Sequence, residues 1–195
     1  MAAIWEHGLG CAMISRIIGE KIRFPDLEKA YLGGLMHDIG EVVLSQFYVE
    51  KFNDVVDLVQ KENIPFFEAE NKLIGINHTD FSEWFREQWG FSEELAEVIA
   101  THHHPEKATI NTQLVAIVVL ADLFCRVRGL DYGYTEAIAI SFRDELAWKK
   151  LAEENPELDQ IDLERFTFDL DGMVDEVKKV AEDFYRDKHE NVTEG

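Results

Sequence analysis

The sequence predicts an all-α helical bundle, and three observations carry that prediction. Apolar residues recur at i, i+3, i+4 and i+7 along most of the chain, as one buried face of a helix requires. No stretch of useful length alternates apolar and polar residues as a half-buried strand would. Capping residues and breakers fall between the apolar stripes at helical lengths.

The elements follow in chain order. Residues 3–19 place Ile4, Leu9, Ala12, Met13 and Ile17 at helical spacing. Asp26 is a natural N-cap for a helix over 27–38, with Gly40 near its end. Residues 49–62 carry the stripe Phe52, Val55, Val56, Val59, and Pro65 suits the first turn of a helix reaching residue 74. Thr79 precedes the stripe Phe81, Trp84, Phe85, Trp89. Ser92, followed by Glu93 and Glu94 in the first turn, opens a helix that Pro105 ends. Asn111 or Thr112 caps a strongly apolar helix to residue 127, and Gly129 stops it. Helices over 143–154 and 170–186, separated by the breaker Asn155-Pro156, complete the set. The expected organisation is a helical core over 1–130, a helical extension packed on it over 131–188, and a disordered tail over 189–195.

Composition narrows the function. The chain's 195 residues suffice to bury a core without staples. With 39 acidic and 19 basic residues, the formal net charge is −20. That balance argues against nucleic acid as a partner, because phosphate neutralisation needs a basic face. It argues equally against docking on an anionic membrane. The longest apolar run, Leu114–Ala121, is too short to span a bilayer. Glu6 and His7 stand where an export signal needs an apolar core. Cys11 and Cys125 lie in apolar surroundings without a CxxC pair and read as buried free thiols. A cytoplasmic location is the expectation.

The chemistry lies in the histidines and two aspartates. His37-Asp38 is embedded in Leu35-Met36-His37-Asp38-Ile39-Gly40, and Asp122 in Val118-Val119-Leu120-Ala121-Asp122-Leu123-Phe124. A carboxylate in such a segment is costly to bury without hydrogen bonds, a cation or a metal. The ordered set His7, His37-Asp38, His78, His102-His103, Asp122 falls on five separate helical segments that can meet in a bundle centre. Nitrogen and oxygen donors without thiolate suit Fe, Mn, Mg or catalytic Zn, and the identity among divalent ions such as these or Ni stays open. His189, in a charged tail, reads as solvated, and His104, beside Pro105, as a loop residue.

This ordered set resembles the HD superfamily of metal-dependent phosphohydrolases. The segments around Trp5-Glu6-His7, Leu35 to Gly40, Ile99 to Pro105 and Leu120 to Leu123 are similar in particular to its HDOD branch, which is related to the HD-GYP cyclic-di-GMP phosphodiesterases. The likeness covers about residues 1–130. It implies an all-α bundle around a central site holding one or two divalent metal ions. By position it gives His7, His37, Asp38 and Asp122 to a first ion, with Asp38 bridging. His78, His102 and His103 would hold a second ion. His37 and Asp38 are thereby the expected catalytic residues. A metal-activated water would attack phosphorus, and the expected ligand is a nucleotide or other small phosphorylated molecule in bacterial signal transduction.

The sequence departs from the HD-GYP pattern at two places. Glu41 stands where that pattern has a lysine, and no Gly-Tyr-Pro follows His102-His103. Glu41 reads either as an acid at the cavity mouth or as a solvated helix residue. Only six residues precede His7, whereas HDOD proteins usually carry a helical half before this point. Two further readings accompany the phosphohydrolase. One is a non-catalytic signalling module that binds metal and a protein partner. The other is an HD-fold di-iron oxygenase, which uses similar ligands.

Overall fold

The computed structural model describes residues 2–131, 141–169, 172 and 174–180. Regular structure among these residues is helical throughout. In chain order the α-helices are α1 Ala2–Lys21, α2 Leu27–Met36, α3 Ile39–Phe47, α4 Val49–Glu62, α5 Phe66–Leu73, α6 Ser82–Trp89, α7 Glu93–Thr101, α8 Thr112–Val127, α9 Leu146–Glu154 and α10 Leu163–Asp169. Short 3-10 turns, His78–Phe81 and Pro105–Lys107 among them, sit between them.

The apolar helix α8 is the axis of the bundle. Leu114, Val115, Ala116, Ile117, Val118 and Ala121 are wholly buried, and α1, α2, α7 and α9 pack around them. Removing a Leu, Ile or Val side chain of this kind from water stabilises by about 1.5–3 kcal/mol each. Trp148, Leu151, Leu158, Phe166 and Val177 join the same apolar cluster, so the segments after residue 141 pack on α8. Smaller clusters hold α4 to α5 through Val55, Val59, Phe66 and Ala69, and pack Ile39 and Phe85 against Ile99.

The predicted caps form. Asp26 accepts from the Lys29 N–H at 2.9 Å, Ser92 from Leu95 at 3.3 Å and Asn111 from Leu114 at 3.0 Å. Glu97 adds a fastening between α7 and the approach to α8: its carboxylate accepts the backbone N–H groups of Thr109, Ile110 and Asn111. Helix α2 crosses α1 at backbone contact. A Cβ at Gly34 would lie well under 3.0 Å from the Cys11 carbonyl.

Some boundaries differ from the sequence reading. The second helix ends at Met36 rather than 38. The chain turns through His37 and Asp38 and starts α3, which periodicity did not reveal. Gly40 is therefore not a terminator. It lies in the first turn of α3, pressed on the backbone of His78. Asn77, with Asp80, caps a 3-10 turn at His78 before α6 begins. Helix α7 stops at Thr101, and Pro105 opens a new turn. The stretch 143–154 divides into a 3-10 turn, Phe142–Asp144, and α9. Helix α10 was not expected. Residues 174–180 of the expected helix over 170–186 are helical. The rest of that helix apart from Gly172, the turn at Gly133-Tyr134 and the tail 189–195 lie outside the described residues.

Candidate metal centre

Elements distant in sequence bring the predicted residues to one point. Helix α1 supplies His7, the α2–α3 turn supplies His37 and Asp38, and the 3-10 turn after α5 supplies His78. The end of α7 supplies His102 and His103, and the middle of α8 supplies Asp122. His7, His37, Asp38, His78, His102 and Asp122 are buried, and His103 is nearly so.

The outer nitrogens define the tautomers. His7 donates from Nδ1 to the Leu130 carbonyl at 2.6 Å, and His37 from Nδ1 to the Gly34 carbonyl at 2.7 Å. His78 donates from Nδ1 to Glu70 Oε2 at 2.7 Å, and His102 from Nδ1 to the Ile99 carbonyl at 3.0 Å. Each bond puts the proton on Nδ1 and leaves a lone pair on Nε2. Those Nε2 atoms point at one another. His7 and His37 approach to 3.3 Å, His78 and His102 to 3.4 Å, and His78 and His103 to 3.0 Å. Nitrogens held this close in a buried site call for a positive charge between them, a shared proton or a metal ion.

The aspartates supply anionic donors. Asp38 faces two ways: Oδ2 lies 3.1 Å from His37 Nε2 and 3.6 Å from His7 Nε2. Its Oδ1 lies 3.1 Å from His102 Nε2 and 3.4 Å from His78 Nε2. Asp122 puts Oδ1 3.3 Å from His7 Nε2, while its Oδ2 is held by Arg126 Nη2 at 2.9 Å. These separations match the edges of a coordination polyhedron. Two donors about 2.0–2.1 Å from one ion at a tetrahedral angle are about 3.3–3.4 Å apart. The donors fall into two groups that could each hold an ion: His7, Cys11, His37 and Asp122, and Asp38, His78, His102 and His103.

Protonation follows from the same contacts. Burial pushes the His37 imidazole down, but Asp38 reverses this and leaves it above the ordinary value. Asp122 does the same for His7, and Glu70 for His78. Burial keeps His102 low despite Asp38, and burial with His102 and His78 close by holds His103 well below the usual range. Burial opposes ionisation of both aspartates. The His37 charge nevertheless holds Asp38 far below the carboxylate range, and Arg126 does the same for Asp122.

Three residues at the site were not among the site residues expected from the sequence. Glu70 is fully buried and orients His78. Cys11, read only as an inert thiol, lies 3.4 Å from His7 Nε2. Arg126 fixes Asp122. Glu41 does not face solvent: it is 1% exposed, 3.8 Å from His78 Nδ1, and lines the cavity. His104 lies in the loop before Pro105, is exposed and pairs with Glu106. His189 lies outside the described residues.

A cavity of about 300 Å³ opens over the cluster. His7, Asp38, His102, His103 and Asp122 form its floor, and Val59, Phe66, Val119 and Leu123 are among its apolar walls. That volume is at the small end of ligand pockets. Among the described residues, no helix is long and apolar enough to cross a membrane.

A helical bundle whose centre joins a His-Asp pair to distant histidines and an aspartate is the HD arrangement. The HDOD domain family matches residues 1–105, and the chain belongs to that family. An HDOD domain protein of unknown function from Geobacter sulfurreducens superposes with a TM-score of 0.78 at 28% identity, over 92% of this chain and 61% of that one. A Shewanella amazonensis SB2B protein provisionally described as a phosphohydrolase gives a TM-score of 0.64 at 19% identity, over 91% and 63%. A Marinobacter aquaeolei VT8 protein provisionally described as acting in signal transduction gives 0.62 at 22%, over 88% and 39%. An uncharacterized protein of Treponema pallidum (strain Nichols) is 24% identical over 98 residues, 50% of this chain and 19% of that protein. The chain thus spans under two thirds of each of these relatives.

Proposed function

We propose that the chain is a metal-dependent phosphohydrolase that takes a nucleotide or cyclic nucleotide phosphoester in bacterial signal transduction. The observation that carries this reading is the Asp38 carboxylate, which directs one oxygen to His37 and the other to His78 and His102 beneath an open cavity. In this reading His7, His37, Asp38 and Asp122 hold one divalent ion, and Asp38, His78, His102 and His103 hold another. When bound, such a pair supplies Lewis acidity toward a phosphoryl oxygen and lowers the pKa of water.

The protein's own contribution is orientation. The carbonyls of Leu130, Gly34 and Ile99 and the carboxylate of Glu70 hold four imidazoles in one tautomer. Arg126 holds Asp122 so that only Oδ1 turns to the centre. The apolar walls lower the local dielectric and strengthen the interactions on the floor. A cytoplasmic place fits this role.

One observation favours a second reading, a signalling module that holds metal and a protein partner without turnover. Glu41, Asp131 and Glu145 line the cavity together with Arg126, so a phosphate would meet like charges there. Product analysis on a panel of nucleotides and cyclic nucleotides, with added Mn²⁺ and with Asp38→Asn as control, decides between them: free phosphate from a monoester or anhydride, and the ring-opened or cleaved phosphomonoester from a phosphodiester. Product formed by the native protein alone supports hydrolysis. No product of either kind from metal-loaded protein overturns it. Glu41→Gln keeps the shape and removes the charge, and it should tighten binding of a phosphate ester if that charge is what opposes it.

A further inference from the structure

We propose that Cys11 is a sulfur ligand of the ion held by His7, His37 and Asp122, which makes that half of the centre a mixed nitrogen, oxygen and sulfur site. This rests on the metal-binding reading above and adds a donor that the reading lacks. Cys11 follows His7 by one turn of α1, so both side chains leave the same face of the helix. Its Sγ is 3.4 Å from His7 Nε2, and one donor atom each from His7, Cys11, His37 and Asp122 lies within 4.8 Å of the others. The thiol is wholly buried, and burial opposes its ionisation, so ligation depends on the ion taking the place of the proton.

The distances fit one ion. With a metal–sulfur bond of about 2.3 Å and a metal–nitrogen bond of about 2.0–2.1 Å, a tetrahedral angle puts sulfur and nitrogen about 3.6 Å apart. The 3.4 Å between Cys11 and His7 is close to that, and the 3.3 Å between His7 and His37 matches the nitrogen pair. Ligation exchanges the S–H bond for a sulfur–metal bond. The proton leaves through the cavity floor that His7 and Asp122 line, and nothing is oxidised or reduced. The bland alternative is a small apolar filler whose S–H points at His7 and at Cys125, its other side-chain partner.

Ligation by sulfur has a consequence for metal choice. A thiolate favours borderline ions such as Zn²⁺, Fe²⁺ or Co²⁺ over Mg²⁺ or Mn²⁺. The Asp38, His78, His102, His103 half offers only nitrogen and oxygen. The two halves would therefore prefer different ions.

Titration of the metal-free protein with Co²⁺, followed by absorption and by cobalt content, tests this. The expected result is a near-ultraviolet sulfur-to-cobalt charge-transfer band that is lost in Cys11→Ala, kept in Cys125→Ala, with cobalt content retained in both. Because the chain has only 2 cysteines, persistence in Cys125→Ala assigns the band even if Cys11→Ala does not fold. Cobalt uptake by the native protein without the band overturns the sulfur ligand and leaves the metal centre standing. A band that survives in Cys11→Ala also overturns it. No uptake at all overturns the metal centre itself.

Discussion

His78 donates from Nδ1 to Oε2 of Glu70 across 2.7 Å, and the same oxygen accepts the His78 backbone N–H at 3.1 Å. Two bonds to one oxygen fix both the tautomer and the plane of the ring. They turn Nε2 toward Asp38, 3.4 Å away. Glu70 is on α5 and His78 in the turn that follows, so the carboxylate also sets where that turn sits.

Glu70→Gln should therefore weaken metal binding without removing a ligand. The amide can still accept from Nδ1, but it no longer raises the basicity of the ring as a carboxylate does. Losing such an outer partner costs about 10–100-fold in metal affinity. Competition titration against a chromophoric chelator measures it, and an affinity equal to that of the native protein would contradict the orienting role.

Asp38→Asn probes the two-sided carboxylate. The amide nitrogen cannot ligate, so only one of the two donor groups keeps an oxygen from this side chain. The expected outcome is a fall in bound metal from two ions per chain toward one, measured by elemental analysis after gel filtration. The rise in melting temperature on metal addition should shrink with it, because binding free energy adds to folding free energy. Unchanged metal content would contradict the bridge.

Physical reasons divide what was legible in the sequence from what was not. His37, Asp38 and Asp122 stood out because an acid inside an apolar segment must find a partner, and that cost is visible without coordinates. Helices such as α4 and α8 were legible because one stripe, or a whole apolar helix, faces the core. Helix α3 was not, because Ile39 to Phe47 continues directly from the preceding helix, and the break at Asp38 is a backbone turn without Gly or Pro. Glu70 was hidden for the opposite reason to Asp38. It sits in a short helix with Glu68, Asn71 and Lys72, where a glutamate reads as solvated. Only the position of His78, set by tertiary packing, makes it a partner. Cys11 read as a small apolar residue because its apolar surroundings outweighed the one local signal, an i, i+4 spacing from His7 on the same helix.

Gly40→Ala tests whether α3 and the His78 turn must touch at the backbone. A Cβ at residue 40 would collide with the His78 carbonyl, well inside 3.0 Å, and neither partner is a side chain that can swing away. Overpacking of this kind typically costs about 1–3 kcal/mol, and backbone on both sides puts the expectation at the upper end. Chemical denaturation gives the stability. Metal affinity should fall as well, because relief of the clash moves His78 away from Asp38. A variant as stable as the native protein with full affinity would show that the contact is not tight.

Glu97 gives the pH dependence of the scaffold apart from the metal centre. Burial pushes its carboxyl up, but the backbone N–H groups of Asn111, Thr109 and Ile110 outweigh this and hold it below its ordinary value of 4.5. A carboxylate whose folded pKa is depressed stabilises the fold fully above the unfolded pKa, and that stability is lost as pH falls through the folded pKa. Glu97→Gln should cost about 1 kcal/mol at pH 7, the lower end of the range for leaving a donor poorly met, because the three N–H groups are only partly buried. The cost falls chiefly on Asn111, whose N–H points at Oε2, while Thr109 and Ile110 share Oε1. Urea midpoints for the native protein and the variant, measured from pH 7 down to pH 3, report the difference. The gap should stay constant to about pH 4.5 and close below it as Glu97 itself takes a proton, since the other carboxylates titrate in both proteins and cancel. A gap that persists undiminished at pH 3 would mean that the charge on Glu97 does not hold α7 to the start of α8.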